Sequence, residues 1–183
     1  HQSLQWNEEI YDAVKTVFEN SGEDLQLYVE NMDTKRFPYD ESYERRLHDF
    51  YKNKFQGVAL SLIISSDNNA FDFLRKYSHQ LFPGVPVVFC GVNFFKKEQI
   101  SSHPLFTGVA EKFDARGTLE IALKQNPHAK EVYIITDYLP TGKAWAASIK
   151  EDIADLYEKV KTRFAQDCSM DELLENLKGL SQD

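Results

Sequence analysis

Two nearly unbroken apolar runs of strand length, Val58 to Ile64 and Val85 to Cys90, each end in short polar residues, with a helical pattern between them. This alternation constrains the fold more than any other feature of the chain. A run that is apolar at every position reads as a strand buried on both sides, which is the habit of parallel sheets. Ala70 to Leu81 is the expected helix, stopped by Pro83-Gly84. A strand, a helix of a dozen residues and a second strand make one right-handed crossover unit.

The same rhythm extends in both directions. Ile10, Val14, Val17 and Phe18 recur at helical spacing before Ser21-Gly22, which predicts a helix over Trp6 to Asn20. Leu25 to Glu30 reads as a strand, Asn31 to Arg36 as a polar loop, and Glu41 to Phe55 as a helix carrying Tyr43, Leu47, Phe50 and Tyr51. Gly91-Val92-Asn93 is a polar exit, Phe94 to Ile100 a short helical or irregular piece, and Phe106 to Val109 a short strand. After Asp114 to Gly117 come a helix over Thr118 to Gln125, a break at Pro127, a strand over Glu131 to Thr136 and the exit Asp137 to Gly142. One long helix is expected from Lys143 to Ala165, with Trp145, Ile149, Ile153, Leu156, Tyr157 and Val160 as its apolar stripe. Met170 to Leu180 is the last helix, with Ser169 as its cap and Glu172 in the capping-box position. The fold class is α/β: a Rossmann-like parallel sheet with helices on both faces. Residues 107 to 117 are the expected place for a crossing between two lobes.

Composition narrows the function classes. The 183 residues are 42% hydrophobic, and 21 basic against 29 acidic side chains give a net charge of −8. That is the make-up of a folded chain with a sizeable core, without the basic face that nucleic-acid binders present. No run reaches the roughly 18 apolar residues of a membrane-spanning helix. The polar helical pattern that begins at His1 is not a leader, so any export signal is expected to be already absent. Cys90 and Cys168 form neither a disulfide framework nor a metal site. His1, His48, His79, His103 and His128 are dispersed, without metal-ligand spacing, and suit surface or packing roles.

In open α/β sheets ligands bind beyond the carboxyl ends of the strands. The loops expected there are Asn31 to Arg36, Ser65 to Asn69, Gly91 to Phe95 and Asp137 to Gly142, and all four are expected to meet at one rim. Ser65, Ser66, Asp67 and Asn68 place four short polar side chains where a strand turns into a helix. They suit helix capping alone, or capping together with contact to an amine or carboxylate. Thr141 and Gly142 read as a helix start with room for close backbone approach. Gly142-Lys143 is not a phosphate loop, since position 137 is Asp and residue 144 is Ala. GxGxxG, GxSxG and HExxH are missing. Asp67 and Asp137 lack the acidic doublet and lysine context of a phospho-acceptor receiver. Cys90 reads as a small core residue. Phe71, Phe94, Phe95 and Tyr138 suit either an aromatic ligand or core packing.

A resemblance adds to this reading. His1-Gln2-Ser3-Leu4-Gln5-Trp6, Val29-Glu30-Asn31-Met32-Asp33-Thr34-Lys35-Arg36 and the stretch Ile63 to Leu74 resemble, in order, the periplasmic sensor region of bacterial membrane-bound signalling proteins. Leu81 to Asn93, Phe106-Thr107-Gly108-Val109 and Asp137 to Gly142 continue the same pattern. That family is similar to the substrate-binding proteins of ABC transporters and precedes a transmembrane helix in sensor histidine kinases, hybrid kinases and diguanylate cyclases. The resemblance implies a two-lobed, periplasmic-binding-protein type of fold shortened at both ends. Residues 1–110 would be a first lobe lacking its first strand, 111–117 a hinge crossing, and 118–183 a partial second lobe. It implies ligand contacts between the lobes at Trp6, Ser65, Ser66, Asp67, Asn68, Cys90, Gly91, Asn93, Thr107, Gly108, Asp137, Thr141 and Gly142. It also implies a periplasmic location, no catalytic residue, no metal and no cofactor. Cys90 and Cys168 would be free thiols or a lobe-spanning pair. The partners implied are a small polar or aromatic solute and a downstream transmembrane signalling module, with no nucleic acid and with room for a homodimer. Two rivals remain: a solute-binding component of an ABC transporter, and a small α/β enzyme using Asp67 or Asp137 as acid or base.

Overall fold

A computed structural model of the chain, which describes residues 5–34, 36–136, 140–165 and 168–180, is a mixed α/β structure with two small parallel sheets. It divides into two compact units, His1–Lys112 and Phe113–Asp183. The first contains helix α1 (Gln5–Asn20), helix α2 (Glu41–Lys54), strand β1 (Ile63–Ser66), helix α3 (Asn68–Leu81), strand β2 (Val87–Val92) and strand β3 (Phe106–Ala110). A short 3-10 turn, Lys97–Ile100, lies between β2 and β3. The second contains helix α4 (Ala115–Gln125), strand β4 (Glu131–Ile135), helix α5 (Pro140–Asp152), strand β5 (Lys161–Ala165) and helix α6 (Met170–Lys178).

In the first sheet β2 is central, flanked by β1 and β3, with both pairings parallel. Register sets Ile63 beside Val87 and Val87 beside Phe106, then Ser65 beside Phe89 and Phe89 beside Gly108. Partners in a ladder point to the same side, so these two rows share one face. That face meets α3, and its core is aromatic: Phe71 is fully buried, with its ring centroid 4.9 Å from that of Phe89 and 6.3 Å from that of Phe106. Tyr51 from α2 closes the cluster edge-on against Phe73, 5.6 Å away. Gly108 is required in its row. A β-carbon there would lie 2.1 Å from the Phe89 carbonyl oxygen and 2.6 Å from its ring. Arg75 on α3 donates through Nε to the Gln99 carbonyl at 2.7 Å, pinning the 97–100 turn to the helix.

The opposite face holds Ile64, Val88 and Thr107 in one row, and its cover is incomplete. Ile64 is 37% exposed and Val109 73% exposed, so among the described residues this face is covered only in part, where the apolar runs suggest burial on both sides.

Three local expectations are corrected. Leu25 to Glu30 is not a strand. The segment pairs with no neighbouring ladder, Leu25, Leu27, Tyr28 and Val29 are exposed, and it is fastened to α2 by side chains instead, with Tyr28 edge-on to Phe55 and Glu30 paired with Lys54. The run from Val58 becomes a strand only at Ile63, where its β2 partner begins, and it continues through Ser65 and Ser66, which the sequence reads as turn. The long helix over 143 to 165 is broken after Asp152. Ile153, Leu156 and Val160 are buried in a tight turn that includes the 3-10 segment Ala154–Leu156, and Lys161–Ala165 then pairs with β4 in parallel register, Glu131 beside Lys161. Here the gain from strand pairing and from burying Ile153 and Leu156 against Ala115 and Leu119 overrides a helical period.

Elsewhere the elements follow their local signals. Asp40 accepts from the Tyr43 N–H at 2.8 Å to start α2, and Ser169 with Glu172 forms a complete capping box on α6. Among the described residues no helix is long and apolar enough to cross a membrane.

Candidate functional site

The carboxyl ends of β1 and β2 lie side by side, Ser66 beside Cys90, and the chain leaves them through two adjacent turns. The Asp67 N–H donates to the Cys90 carbonyl at 3.1 Å, extending the ladder one residue beyond the strand. One residue further, Asn68 begins α3 and reaches across. Its Nδ2 donates to the Asn93 carbonyl and its Oδ1 accepts from the Asn93 N–H, both at 3.0 Å. A single amide side chain thereby satisfies both backbone groups of Asn93, which ties the helix start to the β2 exit. The β3 end joins the same edge, since the Glu111 N–H donates to the Val92 carbonyl at 3.0 Å.

Unusual backbone geometry is concentrated here. Asp67 has φ 74° and ψ 160°, a region that only glycine occupies readily. Its carboxylate accepts from the Asn68 N–H at 2.7 Å, so capping contributes to holding it there. Gly91 has φ 62° and Phe94 φ 57°. Non-glycine residues in such conformations cost on the order of 1–3 kcal/mol each and persist where surrounding contacts over-determine them, a pattern found at ligand sites.

Trp6 belongs to this edge as well. A β-carbon on Gly91 would lie 2.6 Å from both Cη2 and Cζ2 of Trp6, so the indole covers the glycine directly, while the residue as a whole stays 40% exposed. The structure therefore gathers Trp6, Ser65, Ser66, Asp67, Asn68, Cys90, Gly91 and Asn93 around the two strand exits. Ser65 is buried on the core face beside Phe89, and its hydroxyl has no hydrogen-bond partner among the described residues. Cys90 is half-buried, and burial holds its thiol above the ordinary value, which makes it a poor nucleophile. Both cysteines are free thiols.

Two other expected site residues, Thr107 and Gly108, are placed away from the strand exits. Thr107 pairs with Val88 near the start of β3, three residues and about 10 Å of strand before the rim pairing of Ala110 with Val92. Gly108 packs under Phe89. The loop Asn31 to Arg36 is fastened to α2, where the Tyr43 hydroxyl donates to the Met32 carbonyl at 2.8 Å. Asp137 and Tyr138 lie outside the described residues, as does the side chain of Thr141. Gly142 is buried in the first turn of α5 in the second unit. Of the aromatic residues, Phe71 and Phe95 belong to the core, whereas Phe94 is 40% exposed at the rim.

Sequence reasoning misses the Asn68–Asn93 clasp and the Trp6–Gly91 contact. An Asn at the first position of a helix and an Asn directly after a strand were the available signals, but neither reveals its partner. It also misses that His79 and His103 stack, with centroids 5.7 Å apart, at the opposite end of the sheet. Among the described residues no group of three or more His, Cys, Asp or Glu side chains is arranged to hold a metal ion. The chemistry the rim offers is hydrogen bonding through amide, carboxylate and backbone groups beside one exposed indole.

Comparison with protein-family models, with curated proteins and with solved structures gave no match.

Proposed function

We propose that the chain is an extracytoplasmic small-molecule sensing domain of a bacterial membrane-bound signal transduction protein, of the sensor histidine kinase type. In this reading its fold is a shortened variant of the periplasmic-binding-protein type, and a small polar or aromatic solute is held at the carboxyl ends of β1 and β2. The domain itself catalyses nothing. Its output is a shift of conformational population, which a solute brings about only through unequal affinity for two states. Asp67, Asn68, Gly91 and Asn93 form the polar floor of the site, and the Trp6 indole lies over Gly91.

The observation that carries the reading is the strained clasp. Asp67 is held in a glycine-like conformation at the point where Asn68 bridges to Asn93, and a fold with no use for this edge has no reason to keep that strain. The sequence resemblance supplies the signalling context and the periplasmic location.

A thermal-shift screen of amino acids, nucleosides, purines and organic acids tests it. A solute at a hundredfold excess over its dissociation constant adds about 2.7 kcal/mol of stability. The expected result is one chemical class that raises the melting temperature of the wild type and fails to do so in Asn68→Ala. Stabilisation that is indifferent to Asn68→Ala, or none across the panel, overturns the reading.

A further inference from the structure

The contact between Trp6 and Gly91 carries an inference that rests on the site just proposed and goes beyond it. The indole lies on a glycine whose φ of 62° and missing side chain leave a flat backbone surface between the two strand exits, and the nearby Asp67 N–H lies 3.6 Å from where a Gly91 β-carbon would be. This surface accepts a planar ring, and in the structure the ring it holds belongs to the chain itself. Trp6 is in the first turn of α1, a helix that buries none of its residues. Asn7, Ile10, Val14 and Phe18 along one side of α1 are only half-buried, so the helix is held shallowly, and the Trp6 contact is one of those that fasten it.

We propose that Trp6 is an intramolecular occupant of the solute site: a ring-bearing solute and the Trp6 indole compete for the surface over Gly91, and displacement of the indole loosens α1. Ligand occupancy is thereby converted into a change in one helix without any movement of the sheet. The affinity for the solute is lowered by the fraction of molecules in which the indole is seated.

The test uses the whole chain labelled with nitrogen-15. Trp145→Phe leaves Trp6 as the single source of an indole N–H signal, since the chain has two tryptophans. In that background Gly91→Ala should move the indole signal toward its solvent-exposed position and speed amide exchange across α1 roughly tenfold. Trp6→Ala leaves the sheet backbone untouched and should give the same acceleration in α1, which guards against misfolding of the glycine variant. Unchanged α1 exchange in Trp6→Ala overturns the grip. The competing probe is unlabelled N-acetyl-L-tryptophanamide. It should shift the wild-type indole signal as Gly91→Ala does, and bind Trp6→Ala at least about fivefold more tightly. Weaker binding to Trp6→Ala makes the indole a wall of the site and overturns competition, as does failure to bind either protein. If the solute panel succeeds on the wild type while the probe leaves Trp6 unmoved, only this inference falls and the sensing function stands.

Discussion

Asn68 and Asn93, 25 positions apart in sequence, are joined by two hydrogen bonds of 3.0 Å that run in opposite directions between one side chain and one backbone residue. Both bonds depend on a single amide group. Asn68→Ala therefore leaves the Asn93 N–H and carbonyl without their partners, at a cost of about 1–3 kcal/mol. Asn68→Asp keeps the acceptor for the N–H but faces the carbonyl with a second acceptor. Chemical denaturation should rank wild type above both variants, and equal midpoints would show that the clasp contributes nothing.

Asp67 makes an unusual demand on its backbone. At φ 74° and ψ 160°, Asp67→Gly removes the strain together with the cap, whereas Asp67→Ala removes the cap and keeps the strain. Glycine should thus be the more stable of the two variants by about 1–2 kcal/mol, the reverse of their order in ordinary helical positions. Equilibrium unfolding of the two variants decides it, and alanine at or above glycine contradicts the strain.

Gly108 admits no β-carbon. Its nearest neighbour is the Phe89 carbonyl at 2.1 Å from where that carbon would be, and a backbone atom in a paired strand does not swing aside. Gly108→Ala should cost at least about 2–3 kcal/mol and weaken β2–β3 pairing first. Hydrogen exchange at Phe89 to Val92 measures this, and full protection there in the variant refutes it.

Tyr51 sets an alkaline limit. Burial, with smaller contributions from Glu30 and Tyr43, pushes its phenol up to about 12. In the unfolded chain the group ionises near its ordinary value of 10, so between those values the unfolded state binds fewer protons and folding stability falls as pH rises. Tyr39 is shifted upward too, chiefly by burial and then by Glu44. Stability measured from pH 9 to 12 should decline, and Tyr51→Phe, which keeps the ring against Phe73, should flatten the decline.

Glu172 works in the opposite direction. The Ser169 N–H, then the Ser169 hydroxyl, hold its carboxyl below the usual range. The box is intact above the ordinary carboxylate value and is lost as pH falls through the lowered one, so α6 should fray in acid. Glu172→Gln should make its helicity independent of pH over that interval, as followed by amide shifts of residues 170–178.

What the sequence disclosed and what it hid have physical reasons. The start of α6 was legible at Ser169 because a capping box is written in four adjacent residues. The β2 strand was legible as an unbroken apolar run and the α3 helix as a helical period, both marks of core burial. The 143 to 165 segment was not, since Ile153, Leu156 and Val160 keep helical spacing while serving as a buried turn, and pairing with the distant β4, from Glu131 to Ile135, makes Lys161–Ala165 a strand. For the same reason the polar floor was readable as a set of loops, yet Thr107 was placed with it although pairing with Val88 fixes it at the far end of its strand.

The uncovered row on the first sheet bears on how this protein behaves in a crowded tube. Ile64 on β1 and Val109 on β3 are exposed on the two edge strands of this sheet, and a short β3 that carries polar Thr107 and small Gly108 offers little for a second copy to adhere to. A change of Thr107 to valine would barely alter melting, but it would lengthen a sticky ribbon. Substitution on this face therefore bears on colloidal shelf life separately from thermal resistance.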